Sequence, residues 1–130
     1  MLSRRSVIAS VLFASVAVST VAWGTQELQY TSQAFAAALQ AGKPVLVVIH
    51  AKWCPTCKAQ MPILSELIAQ PKFGQLTVLK VDFDTQKSAV RKFGAQLQST
   101  LIVFKGATEV GRSVGDTNRE TIAALLDRAL

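Results

Sequence analysis

Residues 45–58 of the chain read VLVVIHAKWCPTCK, and they contain the strongest structural pattern in the sequence. Its first five residues are aliphatic and mostly β-branched, which is typical of a strand buried on both faces of a sheet. The pattern then changes, because Pro55 suits the first turn of a helix and apolar residues recur at helical spacing as far as Ile68. We therefore predict a central strand followed directly by a helix, with Cys54 and Cys57 at the start of that helix.

The segments on either side predict strands and helices in alternation. They comprise an edge strand at 27–30, a helix that Thr31 caps and Gly42 ends, the central strand and its helix, a buried strand at 76–81, a short helix at 88–93, a hairpin of 101–104 with 109–114, and a last helix that begins at a capping box in Thr117–Glu120. The order β-α-β-α-β-α-β-β-α predicts an α/β fold, with a mixed sheet and helices on both of its faces.

Length and the amino-terminal sequence favour one exported domain. The chain has 130 residues, half of them hydrophobic, which is enough for one core and too few for two. Arg4-Arg5 precede an uncharged run at 6–24 that is typical of a secretory signal with cleavage after Ala22. We expect a signal peptide at 1–24 and a periplasmic domain at 25–130. An uncleaved anchor facing the periplasm is the alternative, and both the general and the twin-arginine export routes stay open.

The basic residues do not indicate a nucleic-acid partner. The chain carries 14 Lys and Arg against 8 Asp and Glu. Its lysines are scattered along the sequence, and aromatic residues are not interleaved with them as in nucleic-acid-binding surfaces. We therefore expect no nucleic acid among its partners.

Cys54 and Cys57 are the only cysteines in the sequence, and they suit chemistry better than structure. A disulfide between them would enclose only Pro55-Thr56 and would constrain little of the unfolded chain. At a helix start, free N–H groups and the helix dipole stabilise a thiolate. We expect Cys54 to be the exposed, attacking thiolate and Cys57, one turn later, to be the resolving thiol.

A Cys-x-x-Cys pair also occurs in metal and haem sites. Structural zinc needs four ligands, whereas the candidates here are the two cysteines and His50. A c-type haem needs His directly after the second cysteine, where this chain has Lys58. We expect no cofactor and no metal in the redox site. The alternative function is a module that binds or delivers copper or another soft metal through Cys54, Cys57 and His50.

The motif Trp53-Cys54-Pro55-Thr56-Cys57-Lys58, with Pro62 five residues after the second cysteine, resembles the active site of the thioredoxin family. The likeness extends over residues 26–130. It includes Leu79-Lys80-Val81-Asp82, Phe93-Gly94, Thr100-Leu101-Ile102-Val103-Phe104-Lys105 and Val114-Gly115. The resemblance implies a thioredoxin fold and a thiol:disulfide oxidoreductase that exchanges disulfides with protein substrates.

The resemblance also implies a substrate groove and a redox partner. The groove residues are Trp53, Pro55, Thr56, Gln98, Ser99, Thr100, Val114 and Gly115. The partners expected are protein disulfides or dithiols and an electron donor or acceptor, membrane-bound or soluble, that the sequence does not identify. We expect the protein to be a monomer.

Two positions on the central strand depart from the family pattern, and they affect one residue of the next strand that matches it. Val48 stands where the family has a buried aspartate that takes the proton from the second cysteine. His50 replaces a family tryptophan and is a candidate base, because its ordinary pKa is near neutral. Lys80, which faces that aspartate in the family, is expected to lack a partner and to be only a surface charge.

The remaining departure is Ser99, which stands where the family has a cis-proline. A cis bond without proline costs about 3 kcal/mol, so we predict a trans Gln98–Ser99 bond and a shifted loop that weakens docking of extended substrates. The serine N–H and hydroxyl should stabilise the Cys54 thiolate and make the protein more oxidising than it would be with proline. Ser99→Pro is therefore expected to lower the reduction potential and to speed exchange with generic disulfides.

The dipeptide between the cysteines bears on the direction of electron flow. Pro55-Thr56 resembles neither the Gly-Pro of reducing thioredoxins nor the Pro-His of the strongly oxidising periplasmic type. Thr56 offers only a hydroxyl, so we expect an intermediate potential and a role as a reductase or an isomerase.

Overall fold

The computed structural model describes residue 17 and residues 24–130. Its elements are β1 (Gln26–Gln29), α1 (Ser32–Gln40), β2 (Val45–His50), α2 (Pro55–Ile68), β3 (Thr77–Asp82), α3 (Lys87–Lys92), β4 (Thr100–Lys105), β5 (Thr108–Val114) and α4 (Arg119–Asp127), with a short 3₁₀ turn at Pro71–Phe73. The predicted order of strands and helices is confirmed. Pro62 lies inside α2, which continues past it to its last turn.

The strands form one mixed sheet in the order β1-β3-β2-β4-β5. The strand β2 pairs in parallel with β3 and antiparallel with β4, so that Val47 lies between Leu79 and Ile102. The prediction that β2 is the central strand is confirmed. Cys54 follows the carboxyl end of this strand, which is where sites form in sheets of this kind.

Helices cover both faces of the sheet, and β2 alternates between two apolar cores. Leu46 and Val48 face the core that α2 and α4 cover, whereas Val45, Val47 and Ile49 face the core that α1 and α3 cover. The second core contains edge-to-face aromatic contacts among Tyr30, Phe35, Phe93 and Phe104. Because both faces of β2 are buried, its sequence is a continuous aliphatic run rather than an alternating one.

The residues that cap α1 and α4 can be compared with the caps predicted from the sequence. Thr31 caps α1 as predicted, because its hydroxyl accepts a hydrogen bond from the Ala34 N–H at 2.9 Å. The predicted capping box at Thr117–Glu120 is wrong by one residue. Asn118 is the cap of α4, and its side-chain oxygen accepts the Thr121 N–H at 3.0 Å.

The predicted leader, residues 1–24, lies outside the described residues except at positions 17 and 24. Within the described part of the chain, no helix has both the length and the apolar character needed to cross a membrane. Thr25, the residue before β1, has its Oγ 2.7 Å from the Ile68 carbonyl oxygen and 3.0 Å from the Phe73 carbonyl oxygen, so its single hydroxyl proton can be donated to either. The domain boundary near residue 25 stays a prediction.

Candidate active site

Cys54 is the N-cap residue of α2. Its backbone is extended, with φ −80° and ψ 111°, and its Sγ accepts a hydrogen bond from the Cys57 N–H at 3.1 Å. Pro55 occupies the first helical position, where a missing N–H costs nothing. The Cys54 sulfur therefore lies at the positive end of the helix dipole, next to N–H groups that have no partner within the helix.

The two thiols, both free in this structure, have opposite pKa shifts. Burial by itself raises the pKa of Cys54, but hydrogen bonds from Cys57, Ser99 and the first helical turn outweigh burial and bring this pKa below its usual value. Burial and the neighbouring Cys54 side chain raise the pKa of Cys57. A thiol that ionises readily beside one that does not is the arrangement needed if Cys54 attacks and Cys57 resolves.

The Ser99 hydroxyl bridges the two sulfurs. Its Oγ lies 3.3 Å from Cys54 Sγ and 3.4 Å from Cys57 Sγ, and the residue is buried. When Cys54 is a thiolate it can only accept, so the hydroxyl must donate to it. The expectation that the Ser99 hydroxyl is a donor to Cys54 therefore agrees with the geometry of the site. The expectation that the Ser99 N–H also stabilises the thiolate is wrong, because this N–H donates to the Ile49 carbonyl.

The backbone of Ser99 is as predicted in one respect. No peptide bond is cis within the described residues, so the trans Gln98–Ser99 bond is confirmed. The φ of Ser99 is +62°, in the left-handed region, and its N–H donates to the Ile49 carbonyl at 2.8 Å.

This geometry removes the basis of the expectation for Ser99→Pro. Proline fixes φ near −65° and has no N–H, so it fits neither the left-handed backbone of Ser99 nor the bond to the Ile49 carbonyl. The expectation that Ser99→Pro speeds exchange therefore requires a backbone that the chain does not have.

Cys54 is more enclosed than the sequence suggested. It is 1% exposed and Cys57 is 4% exposed, so the expectation of an exposed attacking thiolate is wrong. The two cysteines pack together with Ala51 and Phe83, and the hydroxyl of Ser99 lies against both sulfurs. A substrate disulfide therefore has to displace one of these neighbours before it reaches Cys54.

The other predicted groove residues lie next to Ser99 in the chain, at the end of β5 and at the start of α2, and all of them except Thr100 are at least partly exposed. Gly115 donates its N–H to the Ser99 carbonyl at 3.0 Å, and Val114 pairs with Thr100 across β4 and β5. Trp53 is 57% exposed and its indole N–H donates to an Asp84 carboxylate oxygen at 2.8 Å. Pro55 is exposed, whereas Thr56 and Gln98 are half-buried.

His50 ends β2 beside Asp82 of β3. Within the described part of the chain, its side chain makes no hydrogen bond to either sulfur. The Asp82 carboxyl has a pKa below its usual value, first because the Thr85 N–H donates to it and in smaller part because of the charge of His50. The role of His50 as a base stays a prediction.

The departure at Val48 also bears on the neighbouring Lys80. Val48 is buried in the apolar core under α2 and pairs with Lys80 across β2 and β3. Lys80 has a partner after all, because its Nζ lies 3.8 Å from the Glu27 carboxylate on the neighbouring strand β1. The expectation that Lys80 is an unpaired surface charge is therefore wrong.

The ligands of the metal alternative are not assembled. Among residues 24–130, no three His, Cys, Asp or Glu side chains come close enough together to hold a metal ion. The set of Cys54, Cys57 and His50 is included in that finding.

Sequence reasoning missed Gln60, which lies one turn after Cys57 in α2 and is buried. Its side-chain N–H donates to the Asp116 carbonyl at 2.8 Å. A signal was present in the sequence, because Cys57, Gln60, Leu64 and Leu67 share one face of the helix and Gln60 is the amide among them.

Comparisons with known proteins match most of the described domain. The family model described as Thioredoxin matches residues 26–128. Over 100 residues the chain is 41% identical to the thioredoxin of Mycobacterium tuberculosis strain H37Rv, which covers 76% of this chain and 83% of that protein.

Two further relatives differ in length. A crystal structure of Trxlp from Edwardsiella tarda EIB202 superposes with a TM-score of 0.76 and 44% identity, covering 78% of this chain and 98% of that one. The bifunctional thioredoxin reductase/thioredoxin of Mycobacterium leprae is 41% identical over 92 residues, which are 71% of this chain. The matched part is 19% of that longer protein.

Proposed function

The chain belongs to the thioredoxin family and is a thiol-disulfide oxidoreductase, and from this premise we propose that its dithiol reduces or isomerises the disulfides of proteins outside the cytoplasm. The observation that carries the proposal is the geometry of the two cysteines: Cys54 caps α2, and its Sγ accepts the N–H of Cys57, one turn later, at 3.1 Å. The opposite pKa shifts, lowered for Cys54 and raised for Cys57, agree with this geometry. Such a pair holds one thiol ready to attack and the other protonated until it is needed.

The proposed cycle transfers two electrons. The Cys54 thiolate attacks a substrate disulfide, forming a mixed disulfide and releasing one substrate thiolate. Cys57 then loses its proton and attacks Cys54, which forms the Cys54–Cys57 disulfide and releases the second substrate thiol. A dithiol partner returns the protein to its reduced form. In isomerisation a thiol of the substrate displaces Cys54 instead, so that no net electrons are used.

Exposed apolar side chains near the site support the proposal that the substrates are proteins. Leu97 and Val114 are each 55% exposed, and Trp53 also leaves most of its surface in solvent. Val114 is followed by Gly115, whose N–H donates to the Ser99 carbonyl. Leu97 lies two residues before Ser99 in the chain. Exposed apolar side chains on a rim around an enclosed polar group suit the docking of a peptide.

The direction of electron flow can be measured with purified protein. We expect the dithiol form to reduce a protein disulfide and to end as the Cys54–Cys57 disulfide with matching release of substrate thiols, counted by thiol titration. We also expect it to restore activity to a protein with mispaired disulfides. The matched comparison starts from the disulfide form and a reduced, unfolded substrate. The proposal is contradicted if this second reaction is the faster one at the same concentrations.

The proposed location outside the cytoplasm is supported by the charged and apolar pattern of residues 1–24. We expect the mature protein from a fractionated cell to begin near Trp23 or Thr25, as read by intact mass and amino-terminal peptide. A full-length chain in the membrane fraction would indicate a retained anchor instead. Recovery of the full chain from the soluble cytosol would contradict export.

A further inference from the structure

Gln60 is a polar side chain in an apolar position. It is 1% exposed and belongs to the buried face of α2. A buried amide is costly unless it is hydrogen-bonded, and a leucine at this point would fill the space at no such cost. The hydrogen bonds of Gln60 therefore explain why an amide can be held there.

Those hydrogen bonds join the two loops that carry the groove. The Gln60 Nε2 donates to the Asp116 carbonyl at 2.8 Å and makes a longer contact of 3.4 Å with the Ser99 carbonyl. The Ser99 carbonyl also accepts the Gly115 N–H at 3.0 Å. One side chain on the cysteine helix thus links the loop before β4 to the loop after β5.

The Ser99 loop needs such support. A non-glycine residue at φ +62° carries a steric cost and keeps this conformation only where its surroundings enforce it. The Ser99 N–H is held by the Ile49 carbonyl of the central strand, and the Ser99 carbonyl is held by Gln60 and Gly115. With both sides of the residue fixed, its hydroxyl is directed at Cys54 and Cys57.

We propose that Gln60 is a positioning residue of the redox site, which holds the Ser99 hydroxyl against the sulfurs by tying the Ser99 and Asp116 loops to α2. Gln60 itself makes no hydrogen bond to either sulfur within the described residues. This inference deepens the proposed function and rests on Cys54 being its attacking thiol. Its effect on the chemistry passes through Ser99 alone.

A double-mutant cycle tests that route. Gln60→Met removes the amide and keeps the length and the apolar packing of the side chain. We expect it to raise the pKa of Cys54, at most by the rise of about one pH unit or more that complete loss of the Ser99 bond would produce. The pKa is read from the ultraviolet absorbance of the thiolate during a pH titration. In a Ser99→Gly background, where the hydroxyl is absent, Gln60→Met should produce no further rise.

Two further variants keep the test decisive. Gln60→Leu replaces Gln60→Met if the latter does not fold. Ile68→Val removes a methylene from the buried face of the same helix, far from the Ser99 loop, and should lower stability without changing the Cys54 pKa. The inference is overturned if Gln60→Met leaves the pKa unchanged, or if it shifts the pKa equally with and without the Ser99 hydroxyl. Because the titration uses no substrate, either result would leave the proposed disulfide exchange standing.

Discussion

Cys54→Ser will abolish disulfide exchange, whereas Cys57→Ser will leave a protein that attacks substrates and stays bound to them. Cys54 is the cap of α2 and has the lowered pKa, whereas the pKa of Cys57 is raised, so Cys54 is the thiol that ionises first as the pH rises. A serine hydroxyl in its place cannot form a disulfide. Without Cys57, no thiol lies close enough to release the mixed disulfide, which therefore accumulates.

The measurement is a non-reducing gel after incubation with a disulfide-containing protein. The wild type should show turnover, Cys57→Ser a covalent adduct that a small thiol reverses, and Cys54→Ser neither. Because the pKa of Cys54 is below its usual value, alkylation of the reduced wild type should rise with pH through that lowered pKa and level off above it. If limiting iodoacetamide modifies Cys57 before Cys54, the two roles have been assigned in the wrong order.

The adduct assay also addresses His50. The resolving step requires Cys57 to lose a proton, and the raised pKa of this thiol makes the step sensitive to a nearby base. If His50 is that base, His50→Gln should slow release of the adduct while leaving its formation unchanged. Equal release rates on both sides of the ordinary histidine pKa of about 6.5 would leave His50 as a packing residue.

Sequence patterns predicted the fold because most of its strands and helices are determined by residues that are close together in the chain. The aliphatic run of β2 has both faces buried, and Thr31 caps its helix through a local contact with Ala34. Cys54 could be placed for the same reason, since a strand that leads directly into a helix leaves little freedom for the residue between them. The start of α4 was misplaced by one residue, because both Thr117 and Asn118 are good caps and only tertiary packing decides between them.

The features that patterns could not predict depend on contacts between distant segments. Cys54 is enclosed because the loop around Ser99, more than forty positions later in the chain, folds over it. The left-handed backbone of Ser99 depends on carbonyl and amide partners at Ile49 and Gly115. The buried amide of Gln60 has its 2.8 Å hydrogen bond only because the Asp116 carbonyl lies beside it. None of these pairs is close in sequence.

Ser99→Gly is the substitution that isolates the hydroxyl. Glycine adopts a φ near +62° without strain and keeps the N–H that donates to the Ile49 carbonyl. Only the bond from Oγ to the sulfurs is lost. Hydrogen bonds to charged groups contribute about 1.5–3 kcal/mol, and one pH unit corresponds to about 1.4 kcal/mol, so the pKa of Cys54 should rise by about one unit or more.

The same loss should make the protein a stronger reductant. The hydroxyl stabilises the thiolate, which exists only in the reduced form, so removing it destabilises the reduced form relative to the disulfide. Since about 1.4 kcal/mol corresponds to 30 mV for this two-electron couple, the reduction potential of Ser99→Gly should fall by about 30 mV or more at a pH where Cys54 is ionised. Equilibration with a glutathione redox buffer measures this fall. An unchanged potential together with an unchanged pKa would mean that the hydroxyl does not bond to the thiolate.

Ser99→Ala and Ser99→Pro separate the hydroxyl from the backbone. Alanine also lacks the hydroxyl, so Ser99→Ala should raise the Cys54 pKa as Ser99→Gly does. Unlike glycine, alanine bears about 1–2 kcal/mol of strain at a left-handed φ, so Ser99→Ala should unfold at a lower temperature than Ser99→Gly. Proline should destabilise the protein more than alanine, because it also removes the N–H that Ile49 accepts. If Ser99→Pro were instead as stable as Ser99→Gly, with faster exchange, the loop would have a second conformation of similar energy, and the left-handed backbone would not be what holds the hydroxyl on the sulfurs.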